Sequence, residues 1–192
     1  MRGSMQFEHS SRNYRNTADK LIAHIKAEIE ESEGRTEWTR VNLKTLRSFP
    51  IDGLKLSWYP APDDSKRSRM KGQFLWDHMS CTDDDVILIA ESEWNKDLIE
   101  LKHDFEKLLY TRCPIKLMMC GGWSDSAEIA DALGTYAKDN CHNFGPGEVF
   151  VLFCVGWVEG GKRVHDDVFR WQVPGEVCRN DGRKFSFQSD WE

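Results

Sequence analysis

A chain of 192 residues, 40% hydrophobic and 30% charged, is long enough to bury one substantial core and is unlike a disordered or fibrous protein. Its formal net charge of −6 argues against a protein that coats nucleic acid non-specifically, but not against one with a local basic grip. No run approaches the roughly 18 apolar residues of a membrane-spanning helix, and the polar N-terminus is no secretory signal. The expectation is one cytoplasmic domain over 1–192, with "MRGS" at 1–4 reading as an expression leader. Eight tryptophans read as core and groove fillers. The six cysteines, at 81, 113, 120, 141, 154 and 178, form no C-x-x-C and read as buried reduced thiols. Cys141 and His142 adjoin, but no second such pair completes a zinc site.

In chain order, residues 17–33 predict a helix with an apolar stripe of Leu21, Ile22, Ile25 and Ile29, capped by Thr17 or Asp19. A shorter helix is expected over 36–47, stopped by Pro50. "LKLSWYP" at 54–60 reads as a strand, and "APDDSKRSRMKG" as a loop. "QFLWDHMSC" and "VILIAESEW" read as two strands around "TDDD". Residues 96–110 form a helix whose shared face is Leu98, Leu101, Phe105, Leu108 and Leu109. A strand "IKLMMC", a helix over 125–139 capped by Ser124, and a strand "EVFVLFCVGW" follow. Then come "VHDDVFRWQVP" and a polar tail, with "HDD" at 165–167 placed in a surface turn. This order predicts an α/β fold with a mixed central β-sheet flanked by helices.

"VILIAESEW" raises the chemical question. A strand that is apolar on both faces ends in Glu91 and Glu93, which alternation puts on one side, about 7 Å apart. Two such carboxylates repel, and cationic partners or a divalent cation would satisfy them. Asp77, on the preceding strand, is a candidate third acid. With the three-residue loop Asp83–Asp85, Thr82 faces Val86 and Asp77 lies opposite Glu91, on the same face and about 5 Å away. A four-residue loop would instead send Glu91 to the other face. The spacing thus predicts an odd loop if the three acids form one site.

An acid on one strand, then an apolar strand ending in Glu-x-Glu, then a helix and another strand, resembles the core of the PD-(D/E)xK superfamily of restriction-endonuclease-like nucleases. The matching residues are "WD" at Trp76 and Asp77, thirteen intervening residues, and "ESE" at 91–93. The resemblance covers about residues 70–120 and takes the helix at 17–33 as the family's first helix. Two departures stand out: no proline precedes Asp77, and Glu93 occupies the position of the usual lysine.

The resemblance implies a restriction-endonuclease-like domain that hydrolyses phosphodiester bonds in nucleic acid, DNA before RNA. It implies Mg2+ (or Mn2+) held by Asp77, Glu91 and the Ser92 carbonyl, with Glu93 binding metal or orienting water. A lysine elsewhere would supply the missing cation. Lys116, within a core strand, and Lys102, about 40° from Leu98 around its helix, are the equal candidates. Lys107 counts onto the opposite face, as a solvated residue. Glu28 borders the first helix's apolar face and reads as solvated too. Lys66, Arg67, Arg69 and Lys71 form a basic loop that could meet phosphates. A homodimer would suit the cutting of two strands. The competing class is a non-catalytic adaptor or assembly subunit on the same fold. A small-molecule hydrolase fits less well, because same-face carboxylates on one strand do not straddle a substrate.

Overall fold

The computed structural model describes residues 14–30, 44–51, 53–59, 77–94, 98–121, 126–140, 147–157, 163–172, 176–179 and 184–186. They form helix α1 (Tyr14–Glu30), a short helix α2 (44–48), strands β1 (Ser57–Tyr59), β2 (His78–Cys81) and β3 (Val86–Glu93), and helix α3 (Leu98–Leu109). Then follow β4 (Ile115–Gly121), α4 (Ser126–Asp139), β5 (Val149–Trp157), β6 (Arg163–Gln172), β7 (Glu176–Arg179) and β8 (Lys184–Ser186).

All eight strands join one sheet in chain order. The antiparallel meander β1–β2–β3 leads through α3 to β4, parallel to β3, and through α4 to β5, parallel to β4. An antiparallel meander β5–β6–β7–β8 completes it. The expected mixed α/β sheet is therefore present. It is longer than the sequence suggested, because "HDD" lies in β6 and not in a turn, and the polar tail carries β7 and β8. Backbone pairing to β5 overrode the local polarity of that segment.

Two core layers form on the two faces of the sheet. On one side Ala18, Leu21 and Ile25 of α1, with Leu46 of α2, cover Leu88, Ala90, Ile115, Leu117, Val149 and Val151. Leu21, Ile22 and Ile25 of the α1 stripe pack as expected, and the Ile29 side chain lies outside the described residues; the helix begins at Tyr14, so Thr17 and Asp19 lie inside it and do not cap it. Asp19 pairs instead with Arg170 of β6, and His24 Nε2 donates to the Thr45 carbonyl of α2 at 3.1 Å. On the other side α3 and α4 bury Leu101, Phe105, Leu108, Ile129 and Leu133 against Ile89, Met118, Phe150 and Leu152. Both crossover helices share this face, as two successive crossovers of one hand require. Ser124, the proposed α4 cap, and residues 36–43 lie outside the described residues.

The β2–β3 hairpin corrects the expected loop and keeps the expected register. Cys81 pairs with Val86, so the loop is the four residues 82–85 and not three. Thr82 closes it: its N–H donates to the Asp85 carbonyl at 2.9 Å, and its Oγ1 accepts the Asp85 N–H at 3.0 Å. A bulge between Ser80 and Cys81 then absorbs one residue of β3, and His78, Met79 and Ser80 pair with Ala90, Ile89 and Leu88. Ile87 and Leu88 accordingly both face the α1 layer, while Val86 and Ile89 face α3. Continued by one residue, this register sets Asp77 opposite Glu91.

A buried ion pair sits within the α3/α4 layer. Lys116 of β4 is fully buried, with Nζ 2.7 Å from Glu148 Oε2 and 4.5 Å from the Phe150 ring centre. Glu148 Oε1 accepts the Cys113 N–H at 3.3 Å. Burial lowers the Lys116 pKa, against the opposing pull of Glu148. Removing one partner of such a pair leaves an uncompensated buried charge. We predict that Glu148→Ala destabilises the fold by about 3–5 kcal/mol in urea denaturation. The double variant Lys116→Met/Glu148→Gln, which retains an acceptor for the Cys113 N–H, should recover most of that loss.

Candidate active site

The carboxyl end of β3 carries the site. Leu88 and Ala90 belong to the α1 layer and Trp94 packs against it, so alternation turns Glu91 and Glu93 to the α3 side. Ile89, two residues before Glu91, lies in the α3/α4 core. Glu91 is only 2% exposed, a burial that carboxylates rarely undergo without partners. Glu93, at the strand's end, is half-buried and pairs in register with Cys120 of β4.

Asp77 lies one residue before β2. Its Oδ2 accepts two hydrogen bonds from Ser92, from the N–H at 2.9 Å and from Oγ at 2.7 Å. A side-chain oxygen thus serves the Ser92 N–H where a strand partner's carbonyl would otherwise do so. Asp77 also stands close enough to Glu91 for its charge to bear on that residue's titration.

Helix α3 supplies the cation. Lys107 Nζ lies 3.4 Å from Glu91 Oε1 and 2.6 Å from Asp104 Oδ1. This overturns the placement of Lys107 as a solvated residue on the far face. The crossover geometry explains why. Lys102 and Lys107 are five residues apart, about 140° around the helix, on opposite flanks of the apolar face. The Lys102 flank packs toward α4, where its Nζ sits 5.9 Å from the Tyr136 ring centre and Tyr136 donates to Glu106. The Asp104 and Lys107 flank therefore overhangs β3. Neither lysine chosen from the sequence reaches Glu91: Lys102 faces α4, and Lys116 is committed to Glu148. Periodicity alone could not separate the two flanks of α3, but the hand of the β3–α3–β4 crossover could have.

Glu91 Oε1 nevertheless has no hydrogen-bond partner, the 3.4 Å approach of Lys107 being an ion pair of poor geometry. Burial first, and the Asp77 charge second, push the Glu91 pKa up to about 8, while Lys107 pulls it down. Burial would lower Lys107, but its hydrogen bond to Asp104 and the two nearby carboxylates outweigh this and raise it. Asp104 is thus the principal partner of Lys107, and the Glu91 carboxyl keeps its proton to higher pH than an ordinary glutamate. A buried acid that holds a proton beside a second carboxylate is a position that a divalent cation fits. Mg2+ commonly takes one or two carboxylates and completes its shell with water and phosphate. Among the described residues no three acidic, histidine or cysteine side chains converge on one point, so Asp77 and Glu91 are a two-carboxylate set. Glu28 follows the α1 stripe that packs on the opposite face of the sheet. The basic residues Lys66, Arg67, Arg69 and Lys71, and Trp76, lie outside the described residues.

The sign of the resulting pH dependence follows from proton counting. Below the ordinary glutamate value of 4.5 both folded and unfolded chains hold the Glu91 proton; between 4.5 and about 8 only the folded chain does. Stability therefore falls as pH rises through that window and levels off above it. Glu91→Gln keeps the shape and cannot ionise. We predict that its melting temperature, measured across this range without divalent cations, lacks the decline and exceeds that of the wild type at the alkaline end.

Comparison with protein-family models, with characterised proteins and with solved structures gives no match in any of the three.

Proposed function

We propose that the chain is a metal-dependent nuclease hydrolysing phosphodiester bonds in DNA, on a restriction-endonuclease-like core. The observation that carries this reading is the β2–β3 register. It sets an acid at the head of β2 opposite a buried glutamate at the carboxyl end of β3, beside a parallel β4 reached through a helix. The order α1, three-stranded meander, α3, parallel strand supports the same reading. So does the unmet oxygen of Glu91.

In this reading Asp77, Glu91 and the Ser92 carbonyl would hold Mg2+ or Mn2+, which when bound would supply a Lewis acid for the phosphodiester and a water of lowered pKa. Lys107 takes the part of the lysine that Glu93 replaces. Its ammonium group, held by Asp104 on the overhanging flank of α3, faces the acids from across the site. There it stabilises negative charge developing on the phosphate oxygens. Glu93, on the same face as Glu91, occupies the position of the family's usual lysine at the edge of the site. The competing reading is a non-catalytic adaptor or assembly subunit. The two Ser92 hydrogen bonds to Asp77 favour it, because they give that carboxylate a structural role.

Cleavage time courses on plasmid and single-stranded DNA, with Mg2+ or Mn2+ and folded variants at matched concentration, separate the two. We predict that Asp77→Ala and Glu91→Ala abolish cleavage, and that Glu93→Lys preserves or raises it. Lys107→Ala should lose activity on the order of 10²-fold, the usual loss when one charge-stabilising donor is removed. Lys102→Ala should cleave like the wild type. Unchanged cleavage in Glu91→Ala refutes the nuclease site. A wild type inert on every substrate with both metals selects the non-catalytic subunit.

A further inference from the structure

We propose that Cys120 and Cys154 form a redox modification site: a dithiol that low-molecular-weight disulfides convert to an internal disulfide between β4 and β5. The two residues are direct partners in the parallel ladder. They belong to the α3/α4 layer, at the same height on the same face, with Sγ atoms 3.3 Å apart. Both are reduced and buried, at 0% and 2% exposure.

The geometry favours closure. A disulfide bond is about 2.05 Å long and tolerates Cα separations of about 4.4–6.8 Å, a range that includes the roughly 4.8 Å spacing of neighbouring strands. The sulfur atoms, 3.3 Å apart, need to approach by only a further ~1.2 Å to reach that length. Cys113 marks the contrast. Its thiol donates to the Ile115 carbonyl at 3.2 Å and faces no second thiol among the described residues, so it has no partner with which to close a bond. Cys81 of β2 has its nearest partner in the Ser57 carbonyl and faces no second thiol among the described residues.

The exchange balances without any group from outside the pair except the oxidant. One cysteine loses its proton, and its thiolate attacks a sulfur of the small disulfide. A mixed disulfide forms and one small thiol leaves, carrying a proton from solvent. The second cysteine, deprotonated in turn, attacks the protein sulfur of that mixed disulfide and expels the second small thiol. The protein loses two electrons and two protons, and the oxidant becomes two thiols. Access comes from the strand ends. Cys120 is one residue from the end of β4, and Cys154 lies in the row that ends at Glu93 of β3. Opening of this end exposes one thiol, and reclosing presents the other. The bond would enclose the whole α4 crossover in a covalent loop and so restrain the unfolded chain.

The test uses the full wild-type chain and oxidised glutathione in mildly alkaline buffer, alone and with sub-denaturing urea to increase opening. Free thiols are then alkylated and the digest is mapped by mass spectrometry. The expected product is a Cys120–Cys154 linked peptide that reduction abolishes, with Cys113 alkylated as a free thiol. The oxidised protein should melt several degrees higher than the reduced one. Cys120→Ala and Cys154→Ala should each lack the linkage. Three results would each overturn the proposal: no Cys120–Cys154 linkage in either buffer, stable glutathione adducts on either cysteine of the wild type, or linkage of these cysteines chiefly to other partners.

Discussion

Burying the Glu91 carboxyl beside Asp77 is the constraint to which the neighbouring elements answer. A carboxylate in an apolar layer is unfavourable unless it is protonated, paired or bound to a cation. Here the approach of Lys107 offsets only part of that penalty, since Asp104 holds the ammonium group more closely. An isoleucine at this position, like Ile89 before it, would pack the same layer without conflict. The strand instead ends in an acid whose oxygen is left unmet. Local conflict of this kind in an otherwise consistent fold is characteristic of functional sites.

The rest of the architecture determines where that acid points. The β2–β3 bulge converts a four-residue loop, which alone would set Glu91 against the α1 layer, into the register that turns it toward α3. The parallel pairing of β3 with β4 brings α3 over the same face, and packing against α4 then determines which of its flanks overhangs the acids. Asp77 ends β2 by accepting the Ser92 hydrogen bonds, so the hairpin stops where the site begins. The Lys116–Glu148 pair lies in the same layer but serves the opposite end of β4, near Cys113 and the start of β5.

Much of this was legible in the sequence because it rests on period and sign. The α1 stripe of Leu21, Ile22 and Ile25, the apolar runs of β3, β4 and β5 and the α3 face of Leu101, Phe105, Leu108 and Leu109 follow from spacing alone, although Leu98, expected on that face, is exposed at the helix's first residue. So does the shared face of Glu91 and Glu93. The loop length was not legible, since a bulge is set by hydrogen bonding between strands and leaves no mark in "SCTDDDVI". Lys107 was missed because a helical wheel gives an angle but not which flank meets α4; a long side chain near the edge can then cross to an acid. β6 and β7 were hidden because strands near a sheet's edge need no apolar run to pair, and "VHDDVF" has the look of a turn until β5 is laid beside it.

The central claim is that Glu91 is retained to bind a cation in exchange for its proton. Calorimetric titration of Mn2+ into the wild type and Glu91→Gln near neutral pH, repeated in buffers of different ionisation heat, tests it most directly. The account predicts weak binding by the wild type, a heat that varies with the buffer because the Glu91 proton is released, and loss of most of the binding in Glu91→Gln. Equal titration of the two proteins, or binding whose heat is independent of the buffer, would contradict it.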